Sequence, residues 1–273
     1  MKFSVLMSVY KNEKATYLEQ SIKSVLNQTL KPSEIVIVKD GPLTKELDDV
    51  INKYKINNNE LFNIIILDKN VGLGRALNKG ILHCKYDIIA RMDSDDVSMN
   101  ERFEKQINIL KENNNIDIVG SYIGEFSKEI SLIEKVRKVP ISNKDITIYS
   151  KRRNPLNHMS VMYRKKAVID SGNYQDSPFS EDYNLWVRMF IKGYKALNIP
   201  ENLVSVRCND DMYRRRGGIQ YIKSEYNLQK YFLKLNHINL YEFLTNLFIR
   251  IGIRIVPNNI RKTAYNLLLR SKI

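Results

Sequence analysis

Asp93, Asp95 and Asp96 place three carboxylates within four residues. Crowded carboxylates repel one another and take up protons unless a cation neutralises them. Acidic oxygen ligands suit a hard ion such as Mg2+ or Mn2+. The chemistry open to this cluster is to hold a cation and, through it, a diphosphate. Ile88, Ile89 and Ala90 precede it as a short apolar run that reads as a buried strand. Carboxylates at the C-terminal end of such a strand lie where open α/β sheets bind ligands. The plainer reading is a solvated acidic turn ahead of a helix that starts near Asn100.

The elements around the cluster alternate. Phe3 to Ser8 reads as a strand, and Leu18, Ile22, Val25 and Leu26 then recur at helical spacing. Pro32 stops that helix and Glu34 to Lys39 resumes as a strand, a β-α-β unit that implies a parallel sheet. Asn63 to Leu67 is a third strand, followed by a helix with Leu73, Leu77, Ile81 and Cys84 on one face. The acidic strand over 87–93 and a helix carrying Phe103, Ile107 and Leu110 complete a doubly wound α/β pattern of four strands and three helices. Polar residues follow each strand: Ser8 to Glu13, Asp40, Asp68 to Arg75, and Asp93 to Asp96. Strand ends on one side of a parallel sheet converge on a crevice, so the four sets read as a nucleotide-diphosphate pocket.

The second half is less regular. Ile116 to Phe126 and Glu129 to Lys138 read as strands, Asp145 to Lys151 as a short helix, and Met159 to Tyr163 as a further strand. A helix opens at Ser180, a fitting N-cap, and turns Tyr183, Trp186, Val187 and Phe190 inward. Residues 219–236 and 240–272 read as amphipathic helices, the second broken at Pro257.

Several sites are excluded. Gly72, Gly74 and Gly80 do not form a dinucleotide fingerprint, because Leu77 stands where the third glycine belongs. There is no phosphate-loop motif and no nucleophile elbow. Cys84 and Cys208 follow no metal or redox spacing, and the three histidines are scattered. The N-terminal apolar run is too short for a signal peptide, and no stretch of about 18 apolar residues exists. The net charge of +14 is uneven: residues 214–273 hold 12 Lys and Arg against two Asp and Glu, so that segment carries +10. A basic end on a near-neutral body points to an anionic partner: a membrane surface, a nucleic acid or a phosphorylated substrate.

The segments 4–13, 37–41, 70–78 and 90–96 together resemble the family-2 glycosyltransferases, a large inverting family with the GT-A fold. The likeness continues at Asn157 to Lys165 and at Ser180 to Trp186, and it spans about residues 1–216. It is nearest to bacterial enzymes that build capsular or exopolysaccharide repeat units. The resemblance implies roles by position. Ser8, Val9, Tyr10 and Glu13 would hold the nucleotide's base and ribose, Asp40 would accept from a uracil N–H, and Arg75 would lie near the base or diphosphate. Asp93-Ser94-Asp95 matches the family's Asp-x-Asp motif, with Asp93 toward the ribose and Asp95 on Mn2+ or Mg2+. Asp182, next to Glu181, matches the catalytic base. His158 is expected to line the acceptor or diphosphate pocket. Arg214, Arg215 and Arg216 stand where relatives carry a Gln-x-x-Arg-Trp motif that is absent here, as in enzymes that add a single sugar.

The reading is therefore a GT-A-like domain over 1–217 and a basic amphipathic helical extension over 218–273. The expected activity moves one sugar from a nucleotide-sugar, a UDP-sugar above all, to a lipid-linked saccharide. The expected location is cytoplasmic, peripheral on the inner face of the cell membrane. The extension would dock there on anionic lipid rather than on nucleic acid, with Arg250 and Arg254 on its cationic side. The rivals are a sugar-nucleotide pyrophosphorylase, which would need a Gly-rich loop after the first strand, and a non-catalytic membrane-binding scaffold.

Overall fold

The first strand, β1 (Ser4–Val9), is buried along almost its whole length, which is what a strand at the centre of a doubly covered parallel sheet requires. In the computed structural model, which describes residues 1–127, 129–208, 218–255 and 271–272, β1 lies between two parallel neighbours. These are β2 (Glu34–Lys39) and β4 (Ile88–Arg91), and β3 (Phe62–Ile66) continues the parallel sheet beyond β2. Helix α1 (Ala15–Leu26) covers one face and α3 (Leu73–His83) the other. A Cβ on Gly80 of α3 would stand 2.5 Å from Leu6 Cδ1 and 2.7 Å from Val38 Cγ2, so the helix lies tight on the sheet. β1, flanked by strands reached in opposite directions, is the topological switch point, and its C-terminal end opens the crevice.

The remaining strands turn antiparallel. β8 (Met162–Arg164) runs against β4, and β6 (Ile118–Phe126) runs against β8. β7 (Lys135–Arg137) pairs antiparallel with β6, and Ser271–Lys272, the last strand, β10, pairs antiparallel with β7. β9 (Ala196–Arg207) lies parallel to β6 and also carries β5 (Val97–Ser98). The GT-A-like α/β architecture is the one expected, with differences in detail.

Helix α2 (Lys45–Asn57) was not expected; it is capped by Thr44 and buries only Leu47 and Ile51, too narrow a stripe to read. The expected strand over 129–138 shrinks to three residues, and His158–Ser160 forms a 3₁₀ turn ahead of β8 instead of the start of a strand. β9 was not expected. Pro200 and Glu201 interrupt its pattern and are skipped in the pairing with β6, where Ser121 opposes Ile199 and Tyr122 opposes Asn202. Finally, Ser271 and Lys272 are strand, not helix.

The other helices are α4 (Arg102–Glu112), α5 (Asn143–Tyr149), α6 (Lys165–Asp170), α7 (Glu181–Ile191), α8 (Ile219–Lys234) and α9 (Leu240–Ile255). Ser180 stands at the N-cap position of α7, but its hydroxyl meets that of Ser177 at 2.9 Å and makes no cap bond. Tyr183 and Val187 of α7 share a buried cluster with Leu228 and Phe232 of α8. Arg250 does not lie on a solvated cationic face: it is turned inward against Glu225 of α8, because a buried carboxylate draws a guanidinium within reach. The side chain of Arg254 lies outside what is described, as do the residues beyond Ile255 other than 271–272. Among the described residues no helix is long and apolar enough to cross a membrane.

Candidate active site

Two loops meet at the C-terminal ends of β1 and β4. Ser8 and Val9 end β1, and exposed Tyr10 leads into a turn closed by Glu13 N–H donating to Tyr10 O at 3.1 Å. Glu13 Oε2 accepts from Ser94 Oγ at 2.8 Å, which ties this turn to the acidic one. The Asp93 carbonyl accepts from Ser21 Oγ of α1 at 2.7 Å, and its carboxylate pairs with Arg91 at the end of β4. Arg91 is fully buried, and its Nε and Nη1 make no hydrogen bond.

Asp95 is half-buried, and its carboxyl is pushed up to about 7 by burial first and then by Asp93 and Glu13. Asp96 is buried and raised well above the usual carboxylate range, by burial foremost and then by Asp95 and Asp93; its Oδ1 accepts from Arg207 N at 3.0 Å. This donor set is acidic and oxygen-only. Arg91 pairs with Asp93 and Arg207 Nε donates to the Asp95 carbonyl at 3.4 Å, which leaves the Asp95 carboxylate, among the described residues, without a cationic partner of its own and fits a hard divalent ion. Among the described residues no trio of His, Cys, Asp and Glu is arranged to hold a metal alone. A cation here would therefore fill its shell with phosphate oxygens and water, the usual habit of Mg2+ at nucleotide sites.

The end of β2 supplies Asp40, which is buried. It accepts from Val71 N at 2.7 Å, Gly72 N at 3.1 Å and Asn70 Nδ2 at 3.0 Å, and so holds the loop into α3. Gly41 beside it has φ +87°, and a Cβ there would strike Asn70 N at 2.6 Å, so only glycine fits this approach. Arg75, in the first turn of α3, is exposed and pairs with Asp176.

Helix α7 begins with Glu181 and Asp182, and a Cβ on Gly74 of α3 would stand 3.0 Å from Glu181 Cβ. Glu181 is raised to about 7 by burial and by Asp182, and it also feels Arg91 and Asp93, which places it within electrostatic reach of the acidic turn. Both oxygens of Asp182 are engaged: Oδ2 accepts from Asn154 Nδ2 at 2.6 Å and Oδ1 from Tyr183 N at 2.7 Å. Burial raises its carboxyl, while these two donors and Arg137 oppose the rise. His158 is buried with its Nε2 2.8 Å from the Tyr174 hydroxyl, beside Trp186, and burial holds it neutral.

The structure thus brings Glu13, Asp93, Ser94 and Asp95 together, ties Asp40 to the loop into α3, and places Glu181, next to Asp182, within electrostatic reach of the acidic turn. It turns Arg75 toward Asp176 and His158 into an aromatic cluster. Arg214, Arg215 and Arg216 lie outside the described residues. Arg91, Asn154 and Arg207 were not anticipated. An arginine inside an otherwise apolar strand, two residues before an aspartate, was the readable signal for Arg91; Asn154 had none.

The sequence matches the profile of Glycosyl transferase family 2 over residues 4–170. It is 39% identical over 264 residues to the amylovoran biosynthesis glycosyltransferase AmsE of Erwinia amylovora, covering 96% of this chain and 97% of that protein. It is 35% identical over 271 residues to an Escherichia coli UDP-Gal:alpha-D-GlcNAc-diphosphoundecaprenol beta-1,3-galactosyltransferase, covering 98% and 97%. Among solved structures it resembles residues 1–349 of S. aureus TarS in complex with UDP-GlcNAc, at a TM-score of 0.68 and 15% identity, covering 98% of this chain and 76% of that one. It also resembles the mannosyltransferase PcManGT of Pyrobaculum calidifontis in complex with GDP-Man and Mn2+, at a TM-score of 0.64 and 13% identity, covering 98% and 75%.

Proposed function

From the premise that this chain belongs to glycosyl transferase family 2 and is a glycosyltransferase, we propose that it is an inverting, metal-dependent hexosyltransferase. It moves one sugar from a UDP-sugar to a lipid-linked saccharide during surface polysaccharide synthesis. The names of the AmsE and galactosyltransferase relatives support the donor, the acceptor class and the pathway. The observation that carries the reaction is a second carboxylate centre, Glu181 and Asp182 at the start of α7, with Glu181 within electrostatic reach of the acidic turn. The acidic turn is raised by burial and mutual repulsion, and Asp182 is held by two donors.

Asp95 would hold Mn2+ or Mg2+ together with the donor's diphosphate. When bound, the ion supplies Lewis-acid stabilisation of the charge that develops on the leaving nucleoside diphosphate. Arg91 fixes Asp93 toward the ribose, and the Glu13–Ser94 bond holds the two loops that flank it. Ser8, Val9 and Tyr10 offer backbone to the base and ribose. Asp40 shapes the adjoining loop and faces the uracil, and Arg75 stands at the rim. Asp182 takes the proton of the acceptor hydroxyl as its oxygen bonds the anomeric carbon and the carbon–phosphate-oxygen bond breaks on the opposite face. His158 sits behind the crevice, where it fixes Tyr174.

The apolar outer face of α9, with Leu244 and Phe248 exposed, together with the exposed Lys223 and Lys230 of α8, would suit an anionic membrane at the cytoplasmic face.

The test of the reaction is Asp182→Asn. It should lower kcat by about 10²-fold or more, the scale of a lost general base. The Kd for UDP-galactose or UDP-GlcNAc in Mn2+ should stay within about twofold. UDP release in the presence of a synthetic GlcNAc-diphosphate lipid reads the rate, and near-normal turnover would remove Asp182 from this role.

A further inference from the structure

Resting on the assignment of Asp182 as the base, we infer that the C-terminal helix pair α8–α9 positions that base, by clamping the backbone segment that carries Asn154.

The clamp runs along consecutive residues at the end of α5. Ser150 Oγ lies 3.0 Å from His237 Nε2, and the Ser150 carbonyl accepts from the Tyr183 hydroxyl at 2.6 Å. The Lys151 carbonyl accepts from Asn246 Nδ2 at 2.8 Å, and the Arg152 carbonyl accepts from Arg250. Three successive residues are thus tied to α7, to α9 or to the turn between α8 and α9. Two residues on, Asn154 donates to Asp182 Oδ2. The orientation of its amide is fixed, because Asn154 Oδ1 accepts from Leu156 N at 3.3 Å and its carbonyl accepts from Arg137 at 3.2 Å.

The clamping groups are themselves held by a polar network buried between the two helices. Glu225 accepts from Arg250 and from Gln229 Nε2 at 3.2 Å, and Gln229 Oε1 accepts from Asn246 at 2.9 Å. Glu225, Gln229 and Asn246 are all buried. Two helices that only covered a surface would be better joined by apolar side chains, since buried polar groups cost stability unless fully paired. Such a network specifies one geometry, and here that geometry ends on the Lys151 and Arg152 carbonyls. A second route converges on the same base: Tyr183, whose N–H holds Asp182 Oδ1, packs edge-on against Phe232 of α8 at 4.9 Å and lies 5.7 Å from the Arg250 guanidinium.

Asn246, Arg250 and Glu225 are therefore positioning residues that never touch substrate. The test compares Asn246→Ala, the paired change Glu225→Gln with Arg250→Met, Asn154→Ala and Asp182→Asn in the full chain. The paired change removes both buried charges together, so it keeps the test open if Asn246→Ala does not fold. Each is assayed by UDP release from UDP-galactose and UDP-GlcNAc with the GlcNAc-diphosphate lipid, and by UDP affinity in Mn2+. Misplacing the base should cost about 10-fold or more in kcat while donor affinity stays within about twofold. A carboxylate that loses a hydrogen-bond donor becomes more basic, so the acid limb of the pH–rate profile should move to higher pH in Asn154→Ala and, by less, in Asn246→Ala. If Asp182→Asn is inactive while Asn246→Ala and the paired variant keep kcat and the acid limb of the parent, the helices only pack and this inference falls. Should Asp182→Asn itself turn over normally, it is the assignment of the base that fails.

Discussion

Replacing Asp95 by asparagine should make the metal-free protein more stable above pH 7 while destroying the metal-dependent nucleotide binding proposed for it. The Asp95 carboxyl is pushed up to about 7 by burial first, then by Asp93 and Glu13. Against an ordinary aspartate near 3.9, the gap is about three pH units, and at 1.36 kcal/mol each the ceiling is ~4 kcal/mol. Asp95 is only half-buried, and water reaching it reduces the effect to about 1–2 kcal/mol.

The sign follows from linkage. The folded state holds this proton more tightly than the unfolded chain, so stability is lost as pH rises from about 4 to 7, and the full penalty stands above 7. An amide in place of the carboxyl carries no charge, so Asp95→Asn should match the parent at pH 4 and exceed it at pH 8 by about 2–6 °C in Tm for a chain of this size. Thermal unfolding at the two pH values, with and without Mn2+ plus UDP, measures both effects. The ligands should raise the parent's Tm through binding to the folded state and leave that of the variant unchanged. A variant no more stable than the parent at pH 8 would refute the electrostatic argument. A variant that keeps the Mn2+-dependent gain would refute Asp95 as the ligand.

Gly80→Val should cost about 2–3 kcal/mol, because its side chain would overlap Leu6 and Val38 beneath α3, and overpacking of a close-packed core is destabilising. The denaturant midpoint reads the loss, and an unchanged midpoint would mean that α3 can lift from the sheet. Leu244→Glu with Phe248→Glu, both on the outward face of α9, should abolish co-sedimentation with vesicles containing phosphatidylglycerol at low salt while leaving UDP affinity intact. Undiminished sedimentation would remove this face from membrane docking.

The parallel half of the fold was legible because its signals are local. A buried strand such as β2 is a run of β-branched residues, a helix such as α3 shows its apolar face within three turns, and the polar residues after each strand mark the open end of the sheet. The antiparallel half was not, because its pairings join residues far apart. Ile89 of β4 lies opposite Tyr163 of β8, and no local pattern announces a partner that distant. Pro200 hid β9 further, since a proline argues against a central strand unless pairing lapses there, as it does. At the site, Asp93, Ser94 and Asp95 were visible as carboxylates and a hydroxyl at a strand end. Arg91 was masked by the same strand, because a charge within an apolar run reads as an interruption rather than as the ion that aligns Asp93.

Charge counting has a similar blind spot, and α9 shows it. Summed along the sequence, Arg250 is one of twelve cations in a basic segment and belongs with a solvated face. In the fold its charge is cancelled by Glu225, and its guanidinium reaches the Arg152 carbonyl, so it adds nothing to the outward potential. Cations that do face out are Lys223 and Lys230 of α8, one turn either side of Tyr226, whose ring lies 6.2 Å from that of Phe243 of α9. One helix therefore presents an inward polar face that ends on the backbone near Asn154 and an outward apolar face that exposes Leu244 and Phe248. Two faces about half a turn apart on a rigid helix cannot move independently. If the outer face seats on lipid as proposed, a displacement of the helix would be passed through Asn246 and Arg250 to the segment that carries Asn154, the hydrogen-bond donor to Asp182.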